Sequence, residues 1–251
     1  MDTARLRRLL GASARLWAGD AGVTSGESGW TAFSGASSVD YNVVVSHGDG
    51  PDLDAAVERV TAARVPAVVM VCGPALGEVQ RLVERSWVCI GSSTLMALAI
   101  TRVPWPLADD GSAARRLRRA DLSSLRALVG EAFDTSPDLS TVAIPDRAAD
   151  TPGLEIWGAF APDGRLMSGL AAVRVQEAVA IWSMATAADG RGQGYGRRTL
   201  GCALAAALSD GALTSILCAS ADGEPFYRRL GYVELERWQM WSRPRWVLGR
   251  A

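Results

Sequence analysis

Asp189-Gly190-Arg191-Gly192-Gln193-Gly194-Tyr195-Gly196-Arg197-Arg198 is the stretch on which the reading of this chain turns. It follows an apolar run that reads as a strand, Ala178–Thr186. It opens a run with helical spacing, residues 194–209, whose inward stripe is Leu200, Ala203, Leu204, Ala207 and Leu208. Glycine reaches positive φ at little cost and leaves backbone N–H groups uncovered. A helix start adds unpaired N–H groups and the positive end of the helix dipole, so the unit is a cradle for an anion such as phosphate. Arg191, Arg197 and Arg198 add positive charge, directed at phosphate or at water. Glycines alone also fit a tight turn without a ligand. Two other phosphate motifs fit poorly. A P-loop needs a lysine, and all 26 basic residues are arginine. A dinucleotide fingerprint needs G-x-G-x-x-G early in a βαβ unit, whereas the spacing here is G-x-G-x-G after three strands of antiparallel appearance.

Composition narrows the field around that turn. The chain has 251 residues, 49% hydrophobic and 21% charged, enough to bury a sizeable core and to exclude wholesale disorder. The 26 basic and 27 acidic residues nearly cancel, so no chain-wide field draws in nucleic acid, and none is expected as a partner. The absence of lysine excludes Schiff-base catalysis. One histidine, His47, excludes a multi-histidine zinc site, and no metal is expected. Cys72, Cys89, Cys202 and Cys218 form no C-x-x-C pair and sit in apolar runs, as small buried hydrophobes do. The charged residues 1–10 do not read as a secretory signal, and no apolar run reaches the ~18 residues of a membrane span. The expectation is a cytoplasmic protein with no membrane partner.

Outward from the turn, residues 155–161 and 166–175 alternate as strands about Pro162-Asp163-Gly164. Residues 214–218 read as a strand, 223–230 as a short helix stopped by Gly231, and 232–242 as one or two strands. Upstream, Leu122–Phe133 has helical spacing, with Asp121 placed to cap it. Residues 103–110, with Pro104 and Pro106, form the best linker. Before it come a helix over 4–17, a Gly/Ser-rich loop over 18–38, a strand over 41–46 and a helix over 53–64. A strand over 67–72, a helix over 76–85 and two strands over 87–90 and 95–101 follow. Strand, helix, strand, helix, strand thus recurs in both halves.

The turn resembles a family motif. Arg191-Gly192-Gln193-Gly194-Tyr195-Gly196 is similar to the Gln/Arg-x-x-Gly-x-Gly/Ala motif of the GNAT superfamily of acyl-CoA-dependent N-acyltransferases. Ile181-Trp182-Ser183-Met184-Ala185-Thr186 resembles the preceding family strand, and Pro225-Phe226-Tyr227-Arg228-Arg229-Leu230-Gly231-Tyr232 the later FYxxLGF segment. Arg118-Arg119-Ala120-Asp121-Leu122 resembles the first strand-to-helix junction. The matches occur in family order over residues 112–242. The resemblance implies an α+β fold with a mixed, mostly antiparallel sheet flanked by helices. It divides the chain into a transferase domain, 107–251, and a degenerate, partial unit of the same kind, 1–106. In that first unit Gly48-Asp49-Gly50 replaces the phosphate motif and puts a carboxylate where phosphate would sit.

The family's chemistry is direct acyl transfer from CoA to an amine, here expected to be acetyl-CoA and a primary amine of a small molecule or peptide. The resemblance pairs the pantetheine amides with the backbone around Met184, Ala185 and Thr186, and sets the pyrophosphate on Arg191, Gly192, Gln193, Gly194, Tyr195, Gly196 and Arg197. Tyr227 is the leading catalytic candidate, since a phenol can donate to the departing thiolate; packing beside Phe226 is the alternative. Ser220 bonds near the thioester or caps the next helix. Glu177, before the central strand, is a candidate base for the amine, with Glu155, Asp134, Asp138 and His47 behind it. Cys218 lacks a histidine partner for nucleophilic catalysis. Among the nine tryptophans, Trp30, Trp238 and Trp241 are the ones that line a substrate mouth or pack the core. The competing reading is a non-catalytic acyl-CoA-binding or scaffold protein. A homodimer is left open.

Overall fold

The computed structural model describes residues 2–18, 23–102 and 114–248. In chain order its elements are α1 (Thr3–Ala18), β1 (Val23–Gly26), β2 (Gly29–Phe33), β3 (Asn42–Ser46), α2 (Gly50–Ala63), β4 (Val68–Val71), α3 (Gln80–Glu84) and β5 (Val88–Ala99). There follow β6 (Ala114–Arg116), α4 (Leu122–Phe133), α5 (Pro137–Ala143), β7 (Leu154–Phe160), β8 (Leu166–Val175), β9 (Ala178–Thr186), α6 (Tyr195–Ser209) and β10 (Thr214–Ala219). The last are α7 (Glu224–Arg229), β11 (Val233–Ser242) and α8 (Pro244–Leu248). Helices and mixed, mostly antiparallel strands give the α+β class expected. The linker predicted at 103–110 lies outside the described residues. No helix among those described is long and apolar enough to cross a membrane.

The chain packs as two compact units. Unit 2, Ala97–Leu217, is continuous. Unit 1 joins Met1–Met96 to Cys218–Ala251.

Within unit 2 the strand order is β10-β9-β8-β7-β6. β6 to β9 pair antiparallel in succession, and β9 pairs parallel with β10 through the crossover helix α6. β8 is buried over nearly its whole length, which explains its near-continuous apolar sequence. Leu125 of α4, Leu170 of β8 and Leu200 and Leu204 of α6 are fully buried, each contributing about 2 kcal/mol of transfer free energy. Asp121 does not cap α4 as expected. Its carboxylate accepts from Arg118 N at 2.7 Å and from both Arg115 Nη atoms at 2.8 Å, which closes the tight turn one step earlier.

Within unit 1 the order is β1-β2-β3-β4-β11-β5. The segment read as a loop at 18–38 contains the β1–β2 hairpin. Gly26 pairs with Gly29, leaving Glu27-Ser28 as a two-residue turn. Trp30 is buried, and a Cβ at Gly11 of α1 would lie 2.6 Å from its ring, so this tryptophan packs the amino-terminal helix. The two strands expected at 87–90 and 95–101 are one, β5. The face of α2 carrying Leu53, Val57 and Val60 packs with Val69 and Trp241 into one core.

Candidate functional site

In unit 2 the site begins with a defect in the sheet. β8 and β9 run in register from Val175↔Ala178 to Ala171↔Trp182, then resume at Gly169↔Ala185. Ser183 and Met184 therefore stand opposite Leu170 alone, a β-bulge. Ser183 takes φ 47°, a left-handed conformation that costs a side-chain-bearing residue about 1–2 kcal/mol. Buried Ser168 pins the strand beyond the bulge: its Oγ donates to Ala185 O at 2.9 Å and accepts from Thr186 Oγ1 at 3.1 Å. On the other side, β9 pairs with β10 only at Thr214↔Ala178, Ser215↔Val179 and Ile216↔Ala180. The two parallel strands part before the bulge. An extended ligand with amide groups can add to a strand edge at such a parting.

The turn follows directly. Gly190 N donates to Ala187 O at 2.9 Å and Gln193 N to Gly190 O at 3.3 Å. The Gln193 side chain folds back, Nε2 donating to Asp189 O at 2.6 Å. Gly192 and Gly194 sit at φ 78° and 86°. A Cβ at Gly192 would meet no atom within 4 Å, so backbone conformation, not crowding, requires glycine there. Asp189, the one acid of the motif, is gripped by both Nη atoms of Arg165 at 2.6 and 3.2 Å, which holds its carboxyl below the usual range and offsets its charge. Gly194 is the N-cap of α6 and brings no side chain. The first helical bond is Arg198 N to Gly194 O at 3.0 Å, so the N–H groups of Tyr195, Gly196 and Arg197 lead a 15-residue helix. Tyr195 is buried under the Arg198 guanidinium, 4.6 Å above its ring, while Arg191, Gly192, Gln193, Gly194 and Arg197 face solvent. An anion arriving from solvent meets N–H groups and arginines, and the local acid is already engaged.

Met184, Ala185 and Thr186 lead into Arg191–Arg197. Glu177 does not join them. It lies in the β8–β9 hairpin turn, where its carbonyl accepts from Leu213 N at 2.8 Å. It precedes Met184 by seven positions along an extended strand, roughly 23 Å at ~3.3 Å each. Its place before β9 in sequence put it at the wrong end of the strand. Glu155 is held by Arg116 at 3.0 Å and Trp157 Nε1 at 3.0 Å. Asp134 is the left-handed C-cap of α4 and Asp138 lies in the first turn of α5. Among the described residues no group of three or more His, Cys, Asp or Glu side chains is placed to hold a metal ion.

In unit 1, Ser220 leads into α7. Its Oγ accepts from Gly223 N at 3.2 Å and its carbonyl from Glu224 N at 2.9 Å. Tyr227 is 9% exposed, edge-on to Phe226 at 5.2 Å and Tyr232 at 5.4 Å. Burial pushes its phenol above the usual range, so it stays protonated at neutral pH. Burial also raises the Cys218 thiol to about 12, which leaves no thiolate for nucleophilic attack. Burial and then Arg7 lower the half-buried His47. Trp238 and Trp241 are core residues whose Nε1 atoms donate to Glu236 and Gln239 at 2.9 and 3.0 Å, not walls of a cleft. Sequence reasoning passed over Glu224, whose carboxylate binds Thr94, Arg228 and Arg237. Its place in the first turn of the tyrosine helix was the available signal.

Residues 153–234 match the family model described as an acetyltransferase (GNAT) domain, which spans β7 to the first residues of β11. No curated protein gives a match. A GCN5-related N-acetyltransferase from Kribbella flavida superposes with a TM-score of 0.70 at 18% identity, covering 97% of this chain and 96% of that one. A conserved protein of unknown function from Staphylococcus epidermidis gives 0.64 at 9% identity, over 88% and 92%. A GCN5-related N-acetyltransferase from Sphaerobacter thermophilus gives 0.62 at 14%, over 86% and 76%. Bulged strand, glycine turn and helix lie inside the matched segment, and this chain has the fold of the GCN5-related N-acetyltransferases on which it superposes.

Proposed function

We propose that the protein is an N-acetyltransferase that moves the acetyl group of acetyl-CoA to a primary amine of a small-molecule or peptide acceptor by direct attack, with residues 107–251 as the transferase domain. One observation carries the reading: a turn with two left-handed glycines heads a long helix immediately after a bulged strand that has parted from its parallel neighbour. Acetyl-CoA supplies an activated acetyl thioester. The strand end at Met184, Ala185 and Thr186 holds the pantetheine amides. The N–H groups of Gly192, Gly194, Tyr195, Gly196 and Arg197, backed by Arg191, hold the pyrophosphate. Tyr227, kept protonated by burial, donates to the departing thiolate. Glu177 is not assigned as the base, since its end of β9 is remote from the bulge.

The amino-terminal half acts as a degenerate partner. Its own parallel pair does not part: β3 and β4 stay in register to Ser46↔Val71, and Cys72 N still donates to Ser46 O at 3.0 Å. The helix that follows is capped by its own Asp49, which accepts from Asp52 N at 3.5 Å. Both features oppose a second cofactor site there.

Calorimetric titration with acetyl-CoA tests the assignment. One saturable site per chain, lost in Arg191→Glu, is the expected result, followed by thiol release with an acceptor from an amine library. No binding at millimolar acetyl-CoA would overturn it. Binding without turnover on any amine would favour the non-catalytic acyl-CoA-binding alternative.

A further inference from the structure

We propose that Glu224 is a positioning residue that sets the Tyr227 ring. The inference rests on the reading of Tyr227 as the proton donor. α7 spans only Glu224–Arg229 and cannot hold its own shape in water. Its N-cap, Gly223, contributes no side-chain bond. Contacts from outside the helix hold its orientation, and the Glu224 carboxylate gathers several of them.

Glu224 is 14% exposed at its side chain and both of its oxygens are engaged. Oε2 accepts from Thr94 Oγ1 of β5 at 2.7 Å and from Arg237 Nη2 of β11 at 3.0 Å. Oε1 accepts from Arg228 Nε at 2.9 Å and Nη2 at 2.8 Å. A second carboxylate, Glu234, pairs with the same Arg228 and lies 3.6 Å from Arg237. Thr94 is almost fully buried, so the contact at β5 is fixed in the core. Thr94, then Arg228, hold the Glu224 carboxyl below its usual range. It is an anion in the first turn of a helix, where the dipole favours it, and both of its oxygens are already occupied as acceptors. Tyr227 stands three residues on, on the adjoining turn of the same face. The far end of the helix is held through the tyrosine itself: its carbonyl accepts from Tyr232 N at 3.1 Å, and the two rings meet edge-on. Glu224 and Tyr232 thus hold the helix at its two ends, on either side of the phenol. Release of the first leaves the short helix free to pivot on the second.

The test uses the full chain labelled with 3-fluorotyrosine. Its four tyrosines, Tyr41, Tyr195, Tyr227 and Tyr232, give four fluorine lines, assigned by single Tyr→Phe variants. Glu224→Gln and Thr94→Val are expected to move or broaden the Tyr227 line and leave Tyr41 and Tyr195 in place, and Thr94→Ser is expected to restore it. With an acceptor amine in hand, Glu224→Gln should lower kcat about 10-fold and leave the KM for acetyl-CoA within about twofold, as misplacement of a reacting group does. In a Tyr227→Phe background the same change should cost nothing further. A Tyr227 line that stays put in both variants would overturn the proposal, and so would an undiminished loss in the Tyr227→Phe background. A Tyr227→Phe chain with full kcat would instead overturn the acid role of Tyr227. The fluorine lines then decide alone whether Glu224 sets the ring.

Discussion

Replacing Gly194 by alanine tests the cradle at its most demanding position. Gly194 caps α6 at φ 86° and ψ −5°. The added Cβ meets nothing closer than Arg198 Nη1 at 3.5 Å, an ordinary van der Waals contact, so crowding contributes almost nothing. What remains is the left-handed backbone, about 1–2 kcal/mol for a residue with a Cβ. If the turn keeps its shape, the whole chain bears that cost, and the melting temperature falls by about 2–8 °C for a protein of this size. If the turn relaxes instead, the N–H groups of Tyr195, Gly196 and Arg197 lose their alignment, and acetyl-CoA must rebuild it on binding. The same 1–2 kcal/mol then appears as a loss of affinity of about 5- to 30-fold. Gly194→Asn should lose less in either measure, since asparagine tolerates this region. Calorimetric titration and thermal melting of the three chains separate the two routes. Wild-type affinity together with wild-type melting in Gly194→Ala would refute the claim that the left-handed cap is required.

The other expectations can be stated together. Tyr227→Phe should bind acetyl-CoA as the parent does and lose about 10²-fold in kcat, read in a thiol-release assay; equal loss of binding would make the residue structural. Asp121 titrates lower in the folded chain than in the unfolded one, held first by Arg115, so its stabilisation is present above pH ~4 and lost as pH falls through the folded value. Asp121→Asn should therefore cost about 1 kcal/mol at pH 7, discounted for partial exposure, and nothing near pH 2, in denaturant titrations at the two pH values. A thiol reagent at pH 8 should label exposed Cys89 first and leave Cys72 and Cys218 intact in the folded chain, because burial pushes both thiols up. Mass mapping of the labelled peptides checks the order.

The centre of the fold was legible because its signals are local. Ala178–Thr186 is apolar on both faces, and the glycines after it punctuate the chain, so the strand and the start of α6 could be read off the residues. The β1–β2 hairpin escaped because β1 is an edge strand with one buried residue in four, which leaves no alternation to read. β5 was read as two strands because Gly91-Ser92-Ser93 looks like a break. In the fold Ser93 Oγ donates to Ala219 O at 2.9 Å, so a polar residue serves the strand as it passes. The bulge at Ser183 has no residue signature, since serine is no better suited than its neighbours to φ 47°. Glu177 misled because proximity in sequence does not say which end of a strand a residue guards. Glu224 was silent because its partners, Thr94 and Arg237, come from 130 and 13 positions away.

The make-up of unit 1 sets an order of events during synthesis. β11 lies between β4 and β5, yet it is made after everything in Ala97–Leu217. As the nascent chain leaves the ribosome, unit 2 emerges as one continuous piece. The first 96 residues must wait with the edges of β4 and β5 uncovered until the carboxy-terminal segment arrives from far along the chain. Open edges are where strands from other molecules add, so the interval before β11 emerges is when this protein is most exposed to aggregation. A premature stop after residue 217 would make that interval permanent.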